Sequence, residues 1–247
     1  MTIAEKITRA KNDYDAVYEA GKQAGGNTEE AFEAGRKAEY DAFWDTFQRN
    51  QTSYAYGFAG KGWDDTTFKP KYDIVTSENS ASNHMFATNQ IVNLEKILTE
   101  QGIQLDVSQS ARVDYLFYYC TSLEIVPVIT VGENCTNIAY MFNNCTKLKC
   151  IKGLILPNKS LTNNNAFNNC TELEDITIGG TIAMSGLDFK SCTKLTKASI
   201  TSIINALSTS TSGLTITFSK TAKEAAFTSA EWTTLENTKS NWTISLV

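Results

Sequence analysis

The chain has 247 residues, enough for one large domain or two small ones. Its 42% hydrophobic and 20% charged residues lie in the ordinary globular range, which excludes wholesale disorder. The net charge of −5 argues against a nucleic-acid partner, and no apolar run approaches the roughly 20 residues needed for membrane insertion.

The N-terminal stretch MTIAEKITRAKNDYDAVYEAG has no basic region followed by an apolar one, so no secretory signal peptide is expected in it. Residues 1–50 are rich in Ala, Glu, Lys and Gln and read as a helical segment. Ile7, Ala10, Tyr14, Val17, Gly21 and Ala24 follow alternating steps of three and four, and Ala31, Gly35, Ala38 and Ala42 resume them. That is heptad spacing, the pattern of a coiled coil. YEAGKQA (18–24) also matches FEAGRKA (32–38) two heptads later. Homo-oligomerisation through residues 1–50 follows from this reading. Two ordinary helices on either side of Gly25-Gly26-Asn27 are the alternative.

Residues 51–80 hold Tyr54, Tyr56, Phe58, Trp63, Phe68 and Tyr72, an aromatic-rich linker or cap. Rings of this kind carry much buried area, so packing against the first coil of the next segment is expected. A sugar-stacking platform is the functional alternative.

Residues 81–200 carry an internal repeat. LFYYCTSLEIV (116–126), MFNNCTKLKCI (141–151), AFNNCTELEDI (166–176) and DFKSCTKLTKA (188–198) share the pattern F-x-x-C-T-x-L. Phe117, Phe142, Phe167 and Phe189 are spaced 25, 25 and 22 residues apart, and the Cys and Leu columns keep the same spacing. A period of 20–29 residues with fixed apolar columns is the signature of leucine-rich repeats. One such unit cannot bury its own apolar face, whereas stacked units bury a continuous core. The expected fold is therefore α/β: a leucine-rich-repeat solenoid with a short parallel β ladder, a helical N-terminal segment and an α/β C-terminal cap. In the ladder, Val126, Ile151, Ile176 and Ala198 form one inward column, and Val128, Ile178 and Ile200 the next, interrupted by Gly153. The segment 88–102 reads as an amphipathic helix stopped by Gly102, a degenerate first repeat because Leu98 lies 25 residues before Leu123.

Residues 201–247 are assigned to the C-terminal cap. ITSIINAL (200–207) reads as helix and LTITF (214–218) as strand. Ser219 and Ser229 are expected to start two short helices, and the WTISLV end to form a strand.

Six cysteines occur. Cys120, Cys145, Cys170 and Cys192 fall on the repeat period and are expected to be reduced and buried, since a thiol packs as a small hydrophobe. Cys135 and Cys150 lie off that column and are expected to be reachable. His84 is the sole histidine, so a Ser-His-Asp or Cys-His arrangement would have to use it. No phosphate loop or dinucleotide fingerprint is present, and Asp64-Asp65 lacks the alternating carboxylates of a calcium loop. No cofactor, metal site or enzymatic activity is expected.

The outward positions of the ladder alternate with the inward columns: Ile125, Pro127, Cys150, Lys152, Asp175, Thr177, Lys197 and Ser199. They differ in type from repeat to repeat, as a binding face on a repeated scaffold would. These eight residues are the candidate partner-binding set.

The F-x-x-C-T-x-L-x-x-I block, followed by an apolar strand and in places by proline (Pro127, Pro157), resembles the BspA-like family of bacterial leucine-rich repeats. The resemblance covers about residues 81–200. It departs from the pattern at the short last spacing and at Ala198. It implies a binding role, as a non-enzymatic recognition or adhesion module, but no particular ligand; the expected partner is a protein or a cell-surface glycan. The wider arrangement, from GFAGKGWDDTTFKPKYDI to LTKASITSIINALSTSTSGLTITFSKTA, is similar to proteins encoded in prophages of gut Firmicutes. That second likeness implies a virion or bacterial-surface location, with a structural tail-associated component as the alternative function.

Overall fold

The computed structural model describes residues 54–78 and 80–247, all within the compact unit Gln51–Val247. The expected coiled coil of residues 1–50 lies outside the described residues. The described chain is mixed α/β with parallel sheets and no closed barrel. In chain order its elements are β1 (Ile74–Val75), α1 (Leu94–Gln101), β2 (Leu105–Asp106), β3 (Ile125–Thr130), β4 (Cys150–Leu156), β5 (Asp175–Gly180), β6 (Leu187–Phe189), α2 (Lys197–Ala206), β7 (Leu214–Phe218), α3 (Lys220–Ala226), α4 (Ser229–Asn237) and β8 (Trp242–Leu246). The sheets are β1-β2, β3-β4-β5 and β6-β7-β8, and every pairing is parallel.

The repeat period becomes strand register. Ile125 pairs with Cys150 and Cys150 with Asp175, one period apart each time, and Val126, Ile151 and Ile176 line up beside them as a buried column. A run of stacked phenylalanines holds the centre: Phe58, Phe86, Phe117, Phe142, Phe167, Phe189 and Phe218. Neighbouring centroids are 5.3, 5.3, 5.4, 5.5, 4.5 and 5.8 Å apart. All seven rings are buried. The run thus extends beyond the four repeats visible in sequence, to Phe86 and Phe58 before them and Phe218 after them.

The cysteine column has a hydrogen-bonding role besides packing. The thiols of Cys120, Cys145 and Cys170 donate to the carbonyls of Phe86, Phe117 and Phe142, at 3.0, 3.0 and 3.1 Å. Each bond crosses to the preceding phenylalanine. Asn89 stands at the cysteine position of the Phe86 unit and donates to the carbonyls of Phe58 and Phe86, both at 2.9 Å. Burial raises the thiol pKa values, to about 12 for Cys120 and well above the ordinary value for Cys145 and Cys192. These sulfurs therefore stay protonated and able to donate.

Each of four turns uses the left-handed backbone region twice, two residues before and two after its phenylalanine. The pairs are His84 and Thr88, Tyr115 and Tyr119, Tyr140 and Asn144, and Asn165 and Asn169, with φ between 53° and 61°. Tyr56 (φ 57°) and Gly60 (φ 64°) flank Phe58 in the same way. Asparagine and glycine accept this region more readily than other residues. In the turns of Phe58, Phe86, Phe117 and Phe142, the N–H groups of the first residue, the phenylalanine and the last residue each donate to a carbonyl of the following turn. Tyr115, Phe117 and Tyr119, for instance, bond to Ala139, Met141 and Asn143 at 2.8–2.9 Å. Turns are thereby tied to turns as strands are tied to strands.

Several expectations need correction here. The helix expected over 88–102 spans Leu94–Gln101, with Asn93 as its N-cap and Gly102 (φ 64°) as its left-handed C-cap. Leu98 is buried in that helix, but the repeat equivalent is set by Phe86 rather than by Leu98, because the helix inserts extra residues before Phe117. Thr228, not Ser229, caps α4: its hydroxyl accepts from the Glu231 N–H, and the Glu231 carboxylate accepts from the Thr228 N–H. Ser219 caps α3 as expected. Among the described residues no helix is long and apolar enough to cross a membrane.

Candidate partner-binding face

The face begins with the hydrogen bonds between strands. Glu124, Lys149 and Glu174 form the row that leads into β3, β4 and β5. The carbonyl of Glu124 accepts from Lys149 N, and that of Lys149 from Glu174 N. The side chain of Lys149 closes onto Glu124 at 2.8 Å, which raises the lysine pKa. The next residues, Ile125, Cys150 and Asp175, form one outward row in register, preceded on the same side by a bridge from Asn93 to Ile125. Pro127, Lys152 and Thr177 follow one step later. Ile125, Pro127 and Cys150 are half-buried, while Lys152, Asp175 and Thr177 are exposed. The structure brings these six candidates together on one sheet face.

Lys197 and Ser199 do not belong to that row. After β5 the chain turns helical, and both residues lie in α2. Lys197 is exposed and pairs with Glu231 at 2.6 Å, over the Phe227 ring. Ser199 is buried. Its hydroxyl accepts from Ile176 N at 3.0 Å and donates to Glu174 O at 2.9 Å, while Ser202 accepts from Ile178 N at 2.9 Å. Helical serines thus take the bonds that a further strand would have made. A strand edge left bare is a template for unwanted pairing, and α2 covers this one. Ala198, expected inward, is exposed because the helical period replaces alternation, whereas Ile200 is buried.

Val128 is a second correction. It was expected inward and is 50% exposed. Ile151 pairs with Ile176 but Leu154 pairs with Ile178, so β4 carries one residue more than β5 in that interval. Val128 pairs with Gly153 and Ile129 with Leu154, so β3 shares the extra residue. This bulge turns Ile129, Leu154 and Ile178 into the second buried column. A Cβ at Gly153 would stand 3.3 Å from a Val128 methyl, so the glycine gives the displaced valine its room.

The aromatic residues of 54–80 are divided between core and surface. Phe58 and Phe68 are buried around Phe86 and Tyr54 stacks on Phe58, as the packing expectation requires. Tyr56 instead begins an outer stack with His84, Tyr115 and Tyr140. Its centroid separations are 4.4, 4.4 and 4.7 Å and its planes are within 10° of parallel. Tyr118 meets Tyr115 edge-on at 5.2 Å. Within this stack ring faces cover one another, so a sugar would meet edges along its length rather than open faces.

His84 is thus held between two tyrosine rings. Burial lowers its pKa, with Asp114 opposing that shift and Arg112 adding to it. Asp114 is itself buried and receives both Arg112 nitrogens, at 2.9 and 2.7 Å. Hydrogen bonds from Thr66 and Thr67 lower the Asp64 carboxyl pKa to about 2, and the same bonds make it a turn anchor. Its neighbour Asp65 accepts from the N–H groups of Val92 and Asn93 at the start of α1. Cys135, expected to be reachable, is fully buried; Cys150 alone of the six thiols is partly exposed. Sequence periodicity could not place Cys135, which lies at a loop position outside the repeat block.

Comparison of the chain with family models, curated proteins and solved structures finds no match.

Proposed function

We propose that the chain is a leucine-rich-repeat solenoid acting as a non-enzymatic recognition or adhesion module, on a virion or bacterial surface. The parallel β3-β4-β5 face meets a protein or cell-surface glycan. One observation carries this reading. The buried column Val126, Ile151, Ile176 repeats one apolar type, while the row beside it changes from Ile125 to Cys150 to Asp175 in strict register. A scaffold that fixes its interior and varies one accessible face fits selection of a partner. The environments of His84 and the ladder thiols support the non-enzymatic part: the imidazole is packed between rings, and the thiols are buried and protonated.

A triple variant, Lys152→Glu with Asp175→Lys and Thr177→Arg, tests the proposal on side chains that are already exposed. Wild-type protein immobilised against extracts of bacterial surfaces and of phage particles is expected to retain a defined partner that the variant loses, with unchanged circular dichroism. Equal retention by both proteins would sink the reading. Retention of a virion protein, unaffected by the triple variant, would favour the structural tail component instead.

A further inference from the structure

The outer ring stack ends before the phenylalanine stack does. Phe142 is followed by Phe167, with centroids 5.5 Å apart. Tyr140, two residues before Phe142, is followed at the same place by Asn165, two residues before Phe167. Both use the left-handed backbone region, at φ 58° and 53°. Tyr115 covers one face of Tyr140 at 4.7 Å, and Tyr118 stands edge-on to it at 6.5 Å. Among the described residues no ring covers the other face, and Tyr140 is only half-buried. The turn on that side is built of asparagine. The Tyr140 N–H donates to the Asn164 carbonyl at 2.9 Å. Asn163 is buried and holds the turn by donating to the carbonyls of Leu161 and Ser185, at 3.3 and 3.0 Å. Asn164 and Asn165 are exposed, and among the described residues their side-chain amides make no hydrogen bond. No charged residue occurs in 134–146 or 160–171, whereas Arg112 and Asp114 lie in the turn before and Asp188 and Lys190 in the turn after.

An aromatic face is negative and attracts the weakly positive C–H bonds of a flat apolar surface. An amide both donates and accepts, and so matches a hydroxyl in either role. A neutral pyranose with equatorial hydroxyls offers both features, axial C–H bonds on its face and hydroxyls around its rim. We propose that Tyr140, Asn164 and Asn165 form a subsite for such a sugar, which takes the fifth place in the ring stack. A nucleotide would bring phosphate, for which these charge-free turns provide no cation. An aromatic side chain would stack on Tyr140 but leave both amides unused. The subsite lies on the turns rather than on the ladder strands, so it goes beyond the recognition reading and stands or falls independently of it.

The test is a titration of the isotope-labelled full chain with methyl β-glucopyranoside, whose ring hydroxyls are all equatorial, followed by backbone amide shifts. Sorbitol, rich in hydroxyls but with no flat face, is the control. The glucoside is expected to move the amides of residues 140–142 and 164–166 in a saturable way that added salt does not change, and sorbitol is not. Tyr140→Leu should abolish the response. Asn164→Ala combined with Asn165→Gly should weaken it roughly tenfold, the scale of one or two neutral hydrogen bonds. Glycine keeps the left-handed backbone at 165, and neither amide holds the fold, so this variant reads binding even where Tyr140→Leu disturbs the stack. Equal shifts with sorbitol, no saturable shift at these amides, or an unaltered response in the asparagine variant would overturn the subsite. Shifts confined to β3, β4 and β5 would also overturn it and leave the ladder as the face that meets a glycan.

Discussion

His84 illustrates how one side chain can take the place of another in a stacked column. It sits where the neighbouring turns place Tyr56, Tyr115 and Tyr140, with rings parallel and 4.4 Å away on both sides. Its folded pKa is depressed by burial, so the neutral ring is favoured on folding. The unfolded chain, with an ordinary value of roughly 6.5, then binds more protons than the folded chain. Stability is accordingly unaffected above that value and falls as pH drops from it through the folded pKa. His84→Tyr keeps an aromatic ring in the column and removes the titration. Thermal melts of the two proteins between neutral and mildly acidic pH are expected to diverge, the variant losing less on acidification. Parallel curves would mean that His84 does not titrate within the folding equilibrium. The column's period was visible for Phe, Cys and Leu, but the outer ring column was not read from the sequence, because its residue type changes from Tyr to His to Asn.

At the scale of elements, the decisive feature is the passage from strand to helix after β5. The same F-x-x-C-T-x-L block that leads into β3, β4 and β5 leads at its fourth copy into α2. Thr196 supplies the N-cap by accepting from Ser199 N, so the helix begins where the strand column would have continued. Ser199 and Ser202 then bond the outer edge of β5. Ser199→Ala would leave the buried Ile176 N–H without its partner, while the Glu174 carbonyl keeps the Thr196 N–H, a cost of about 1–3 kcal/mol. Ser202→Ala, at a less buried bond, should cost less. Urea denaturation of both variants checks the order, and an unchanged midpoint for Ser199→Ala would show that the edge is not held by this hydroxyl.

At the scale of the molecule, the stack of phenylalanines sets where a folding unit can be cut. A boundary at residue 81 follows the visible repeat, but Phe58 and Phe68 pack on Phe86 and Asp65 bonds the start of α1. Residues 51–247 are therefore expected to unfold cooperatively. Residues 81–247 should lose about 3–6 kcal/mol, the burial of two phenylalanine side chains. Denaturant midpoints of the two truncations decide this, and equal midpoints would show that residues 54–80 add nothing to the core. Light scattering on the same set also examines the heptad pattern: the full chain is expected to self-associate and residues 51–247 to be monomeric. If both are monomeric at tens of micromolar, roughly where weak coiled coils assemble, residues 1–50 do not mediate self-association.

The amino-acid sequence by itself determined the period, the Phe, Cys and Leu columns and the parallel register, because a fixed spacing of apolar side chains admits few ways to bury them together. The same pattern, with its strand alternation, placed six of the eight candidate residues on one face. Only the tertiary structure decided the rest. Burial of Cys135 depends on loops that carry no period. Exposure of Val128 depends on one extra residue shared by β3 and β4, and a shift of one position exchanges the two faces of a strand. The fate of Lys197 and Ser199 turned on a choice between helix and strand made after β5. There the bonds of Ser199 and Ser202 to a distant backbone reward a helix, and no local pattern encodes that contact.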